Sequence, residues 1–268
     1  MNTTFSFIGT GNMGGALARA AAKAMAPGDI YLSNKTAAKA EALAAELGCK
    51  AVDVQTAAAT GGFVFLGVKP QMMADLLENI RPILAQREEP FVLVSMAAGL
   101  TIADIRRMAG GDYPVIRIMP NTPVAVGKGV ILYDVSENVT QEAVETFCRQ
   151  MRFSGLLDRL PEKLIDAGSA VAGCGPAFAS LFIEALADGG VAAGLPRAKA
   201  LEYAVQMLLG TAALALETGQ HPAQMKDAVC SPGGSTIAGV RALEQGGFRA
   251  AVINAVDAAY LRTKQLGK

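Results

Sequence analysis

Two glycine-centred runs hold the residue types best suited to grip a reactant. The first, Gly9-Thr10-Gly11-Asn12-Met13-Gly14, follows the β-branched and aromatic run Thr4-Phe5-Ser6-Phe7-Ile8 and leads into Ala16-Leu17-Ala18-Arg19-Ala20-Ala21, which reads as a helix. Strand, turn and helix in that order give a G-x-G-x-x-G its dinucleotide meaning. Gly9 permits the tight turn, Gly11 lets a pyrophosphate approach the backbone, and Gly14 lets helix and strand pack closely. The helix start offers unpaired N–H groups and a positive dipole end to the phosphates. The competing account is an ordinary glycine-rich loop. The second run, Ser231-Pro232-Gly233-Gly234-Ser235-Thr236, again sets glycines and hydroxyls at a helix start. It makes an anion nest too small for a pyrophosphate, but a carboxylate fits. Ser235 or Thr236 serving only as a helix N-cap explains that pattern equally well.

Four further stretches face the first nest if strands and helices alternate as they read. Asp29-Ile30-Tyr31-Leu32-Ser33 is a strand ending where NAD-binding domains carry a carboxylate for the ribose hydroxyls, and here Ser33-Asn34-Lys35-Thr36 follows instead. A cation without a carboxylate favours NADP(H) over NAD(H) by charge complementarity. Asn34 to Thr36 can also cap the next helix, Ala37 to Leu47, and the two roles are compatible. Strand Gly62 to Leu66 runs into Gly67-Val68-Lys69-Pro70, whose place beyond a strand's carboxyl end points it at the cofactor. After helix Gln71 to Leu84 and strand Pro90 to Val94, the loop Ser95-Met96-Ala97-Ala98-Gly99 has the small side chains that a flat nicotinamide or close packing needs. Strand Val115 to Met119 ends in Pro120-Asn121-Thr122-Pro123, a rigid turn with one amide able to reach a ligand.

Several chemistries are removed by what the chain lacks. His221 is the only histidine, which excludes a histidine triad or a multi-histidine metal site. Cys49, Cys148, Cys174 and Cys230 are mutually isolated, a spacing that suits reduced thiols in a cytoplasmic protein and no metal site. Glu184 and Asp188 share a helix face at i,i+4 and read as a solvated pair. Lys+Arg and Asp+Glu balance at 24 each without charge runs, so neither nucleic acid nor an anionic membrane is an expected partner. We expect no signal peptide, and no membrane span, because charge or glycine interrupts each apolar window.

The elements that position these runs fall into two halves. Gly129 to Tyr133, a helix over Gln141 to Met151 and a short strand Phe153 to Leu157 complete the alternation. From Pro161 onward the pattern is helical. The spacing therefore predicts an α/β Rossmann-like domain over 1–160 and an all-α domain over 161–268. At 51% hydrophobic and 18% charged, with a positive mean hydropathy, the chain hides more apolar surface than usual. One helix, with Leu201, Ala204, Val205, Leu208, Leu209 and Ala212 on one stripe and Met207, Leu214 and Leu216 elsewhere, is apolar nearly all round, which points to burial against another subunit.

Ser231-Pro232-Gly233-Gly234-Ser235-Thr236-Ile237, with Gly173-Cys174-Gly175-Pro176-Ala177-Phe178 before it and Gly246-Gly247-Phe248-Arg249 after it, resembles the pyrroline-5-carboxylate reductase family. Val68-Lys69-Pro70, Ala97-Ala98-Gly99 and Met119-Pro120-Asn121-Thr122-Pro123 match it in order, so the resemblance covers nearly the whole chain. Cys174 departs from it, since the family often has serine there. The resemblance implies a helical dimerisation domain, an active site shared across a homodimer, and NAD(P)H-dependent reduction of 1-pyrroline-5-carboxylate to L-proline. It maps cofactor contacts onto Gly9, Thr10, Gly11, Asn12, Met13, Ser33, Asn34, Lys35, Val68, Lys69, Pro70, Met96, Ala97, Ala98 and Asn121. Substrate contacts fall on Ser231, Gly234, Ser235, Thr236 and Glu162. A hydroxyl such as Thr236 suits this chemistry, because an imine nitrogen is basic enough to arrive protonated and needs orientation more than a strong acid.

Two other functions fit parts of the pattern. A β-hydroxyacid dehydrogenase would carry a catalytic lysine after a glycine pair; alignment on Gly173 and Gly175 puts that position at Ala179. A non-catalytic NADP sensor would have no use for the carboxylate nest.

Overall fold

A computed structural model of the chain describes residues 2–266. Strands β1 (Phe5–Ile8), β2 (Ile30–Ser33), β3 (Lys50–Ala51), β4 (Phe63–Leu66), β5 (Val92–Ser95), β6 (Val115–Pro120), β7 (Gly129–Val135) and β8 (Gly155–Arg159) form one sheet in the order β3-β2-β1-β4-β5-β6-β7-β8. Neighbours run parallel except β6 and β7, which are antiparallel. The central strands are unbroken apolar runs because helices cover both faces. Phe5, Phe7, Phe63 and Phe65 point to one face, packed under α1 (Asn12–Ala22), α2 (Ala37–Leu47) and α6 (Gln141–Met151). Ile8, Val64 and Leu66 point to the other, under α3 (Val54–Thr60), α4 (Met73–Ala85) and α5 (Ile102–Ala109). Phe7 stacks on Phe65 with ring centroids 4.3 Å apart, and each such buried ring contributes about 1.5–3 kcal/mol.

The Rossmann-like expectation holds, with two differences of detail. Periodicity does not mark α3 or α5, and the last strand begins at Gly155 because Arg152–Ser154 closes a single tight turn. Helix α7 (Glu162–Ala172) follows the Leu160–Pro161 break yet packs on the sheet, with Ile165 buried against Met119 and Leu132. One compact unit accordingly runs through Cys174 and includes the chain from Ala259, so by packing it closes fourteen residues after the expected boundary at 160. The physical reason is that α7 covers the β6–β7 end of the sheet.

The second unit, Gly175–Ala258, holds α8 (Gly175–Ala192), α9 (Arg197–Thr218), α10 (Pro222–Ala228), α11 (Ser235–Gln245) and most of α12 (Phe248–Leu266). Phe182 and Phe248 meet at 5.7 Å. Only Ala200 and Ala204 of α9 are buried, so a helix apolar nearly all round is left bare by its own chain. The stretch Glu162–Ala192 is long and apolar enough to cross a membrane by length and composition. Its windows are interrupted as expected, by Gly168, Gly173, Gly175, Glu184 and Asp188, but glycine does not lower a window's hydropathy as a charge does.

Candidate active site

Strand order reverses at β1, which has β2 on one side and β4 on the other, and a ligand crevice opens beyond the carboxyl ends at such a point. Gly9 and Gly67 stand there. Gly9 N donates to Ser33 O at 2.8 Å and Gly67 N to Ile8 O at 2.8 Å. Gly9 has φ +102°, and a Cβ on it would lie 2.5 Å from Gly67 O, so turn and close approach both demand glycine. Gly11 differs: a Cβ there would meet nothing within 4 Å. It is also the N-cap of α1 and supplies no side-chain cap, which leaves the first-turn N–H groups of Asn12 and Met13 without a partner from it. The buried Thr10 hydroxyl has no partner among the described residues. Open space, free donors and a buried orphan hydroxyl together fit a pyrophosphate.

The residues expected around the adenosine phosphate gather at the same edge. Asn34 Oδ1 accepts from Thr10 N at 3.2 Å and Asn34 Nδ2 donates to Thr36 O at 3.2 Å, tying the glycine turn to the loop after β2. Ser33 is buried, and Lys35 is exposed with no ion pair among the described residues. Thr36 occupies the N-cap position of α2 but its side chain accepts no cap bond, so capping does not account for the segment. Val68 and Pro70 are half-buried and Lys69 is exposed in the turn after β4. Ala97 is buried, its N–H 3.4 Å from Ser95 Oγ, between the half-buried Met96 and Ala98.

Asn121 and Glu162 are held differently from the rest. Asn121 Oδ1 accepts from Val130 N at 2.8 Å and Asn121 Nδ2 donates to Ala172 O at 3.0 Å, pinning the end of α7 to the β6–β7 turn. Glu162 opens α7; its N–H donates to Asp134 Oδ2 at 2.7 Å and its Oε1 accepts from Ile102 N at 2.7 Å. Glu162 Oε1 also takes Arg117 Nη1 at 3.3 Å, while Arg117 Nη2 donates to Asp166 Oδ1 at 2.6 Å. This cluster of Arg117, Glu162, Asp166 and Asp134 is absent from the sequence reading. Its one signal is a lone cation inside the apolar strand Val115-Ile116-Arg117-Ile118-Met119, which a buried position obliges to find carboxylates.

In the second unit the run from Ser231 is an exposed turn closed by Gly234 N donating to Ser231 O at 3.0 Å. A Cβ on Gly234 would press on the Ser231 hydroxyl, which would have to rotate away to make room. Gly234 is the N-cap of α11 and gives no side-chain cap. Ser235 and Thr236 therefore lie inside the helix, which sets aside the account that they are there to cap it. Both are exposed in the first turn, whose N–H groups have no helical partner, and such a helix start is complementary to a carboxylate. The Glu184–Asp188 face is exposed, and Arg197 Nη1 pairs with Asp188 Oδ1 at 2.5 Å. Ala179, where a hydroxyacid dehydrogenase would carry its lysine, offers no cation.

Comparison with known proteins bears on both units. Residues 162–266 match the family described as pyrroline-5-carboxylate reductase dimerisation, and residues 4–99 match NADP oxidoreductase, coenzyme F420-dependent. The pyrroline-5-carboxylate reductase of Synechocystis sp. is 42% identical over 271 residues, covering 100% of both chains. That of Escherichia coli is 38% identical over 271 residues, again covering 100% of both. The crystal structure of Plasmodium falciparum pyrroline carboxylate reductase, which has NADP bound, is similar with a TM-score of 0.89 at 30% identity, over 99% of this chain and 98% of that one.

Proposed function

This chain belongs to the pyrroline-5-carboxylate reductase family, and we propose that it reduces 1-pyrroline-5-carboxylate to L-proline with NADPH as the hydride donor. The observation that carries this reading is the start of α11: Gly234 caps nothing with a side chain, and the hydroxyls of Ser231, Ser235 and Thr236 are left to a ligand. Gly9 to Met13 would hold the pyrophosphate on the N-terminus of α1, and Lys35 the 2′-phosphate. When bound, NADPH supplies the hydride that adds to the C=N carbon.

The protein's own part is to bind and orient. The N-terminus of α11, with Ser231, Gly234 and Ser235, holds the substrate carboxylate. Thr236 sets its hydroxyl at the ring nitrogen, which arrives protonated as the iminium. On reduction the C=N π pair moves onto nitrogen, and the resulting amine takes its second proton from solvent at neutral pH. No strong general acid is required, in keeping with a site that contains no histidine. The bare apolar faces of α8 and α9 support a homodimer or a larger homo-oligomer built through the helical unit. A small-molecule biosynthetic reaction of this kind, with four free cysteines, supports a cytoplasmic location.

Steady-state NADPH oxidation with Thr236→Ala tests the assignment. The variant should lose turnover on 1-pyrroline-5-carboxylate by about tenfold or more, with NADPH binding retained. Unchanged turnover removes Thr236 from the site.

A further inference from the structure

The largest fully buried side chain in the structure is a guanidinium that the proposed chemistry leaves unused. Arg117 is 2% exposed in β6, in register with Ser95 of β5 and Asp134 of β7. Its Nη groups reach Asp166 and Glu162, and its Nε has no partner among the described residues. Glu162 passes the connection on, because the oxygen that accepts from Arg117 also accepts from the N–H of Ile102, the first residue of α5. The loop from Met96 to Leu100 is thereby bracketed. It leaves β5 at Ser95, the register neighbour of Arg117, and enters α5 at the N–H that Glu162 holds. Between these points Ala98 packs against Met119, Leu132 and Ile165, the last of them on α7 beside the same cluster.

We propose that Arg117, acting through Glu162, is a positioning residue for the nicotinamide end of the cofactor, fixing the Met96–Ala98 loop at the end where it enters α5. The inference rests on the reading that this loop meets the nicotinamide. A buried charge network in low dielectric accepts few geometries, so it is suited to hold a loop that a reactant must lie against. Glu162 then serves the cofactor side and does not touch the imine.

Kinetics of four variants test this. Glu162→Ala removes the acceptor for Ile102, and should raise KM for NADPH on the order of tenfold with the imine KM unchanged. Glu162→Gln keeps an acceptor oxygen and should restore most of that loss. Arg117→Lys keeps the buried charge but cannot reach Glu162 and Asp166 together, and should raise KM for NADPH several-fold with the imine KM unchanged. A Glu162→Ala effect confined to the imine KM overturns the proposal, as does an Arg117→Lys variant whose KM for NADPH stays at the wild-type value. Ala98→Val acts on the loop directly. If it raises KM for NADPH and Glu162→Ala does not, the positioning role fails while the loop assignment stands. If neither variant moves it, the loop assignment fails and takes the proposal with it.

Discussion

Gly9 and Gly11 lie two residues apart and are glycine for different reasons. At Gly9 a side chain would strain the backbone and strike Gly67 O; at Gly11 it would enter empty space at the start of α1. The two substitutions separate fold from ligand. Gly11→Ala should cost about 1 kcal/mol or less of stability, the difference between glycine and alanine at an N-cap, yet raise KM for NADPH tenfold or more. Thermal melts beside cofactor titration read both quantities, and an unchanged KM puts the pyrophosphate elsewhere. Lys35 makes a sharper distinction. With no ion pair to lose, Lys35→Ala should weaken NADPH on the order of tenfold and leave NADH alone, because only the former carries the 2′-phosphate. Equal penalties for the two cofactors refute that reading. Both glycine turns were legible in the sequence because each is made by consecutive residues. Arg117 was not, because its partners Glu162 and Asp166 lie 45 and 49 residues further along the chain.

Legibility changes in kind among the elements. The long strands and helices announce themselves by apolar runs and turn residues. The helices α3 and α5, of 7 and 8 residues, are about two turns each and too short for a 3.6-residue period to show. Helix α7 was legible as a helix but not in its attachment. Proline at 161 and the helical composition beyond it mark a break in pattern, whereas packing follows the bonds of Glu162 and Asn121, which return α7 to the sheet. Asn121 is where pattern and packing meet most plainly, since the amide read as able to reach a ligand also spends one donor on Ala172 O and one acceptor on Val130 N. Asn121→Ala would orphan Val130 N and Ala172 O, at about 1–3 kcal/mol for each group left unpaired. For a chain of this size that lowers Tm by roughly 2–4 °C per kcal/mol. KM for NADPH should not move; a rise in KM at unchanged Tm would return the amide to the cofactor.

At the scale of the whole molecule the apolar surface of the helical unit decides what one chain can do alone. Leu209 and Leu216 of α9 are 57% and 87% exposed, and Leu181 of α8 is 67% exposed. Burial of such surface contributes about 25 cal/mol per Å², so a second copy laid on these helices gains what a single chain forgoes. The match of residues 162–266 to a dimerisation family fits that account. Leu209→Glu is the discriminating change. An exposed leucine can become glutamate in a monomer at little cost, but in a closed interface the carboxylate is buried without a partner, and that cost falls on association alone. Sedimentation of the variant should shift toward monomer, and the dependence of Tm on protein concentration that a dimer carries should be lost. Turnover should fall with the dimer if each active site draws on two chains. A variant of unchanged mass would move the interface off this face of α9. A monomer with full turnover would leave the interface where it is and confine each active site to one chain.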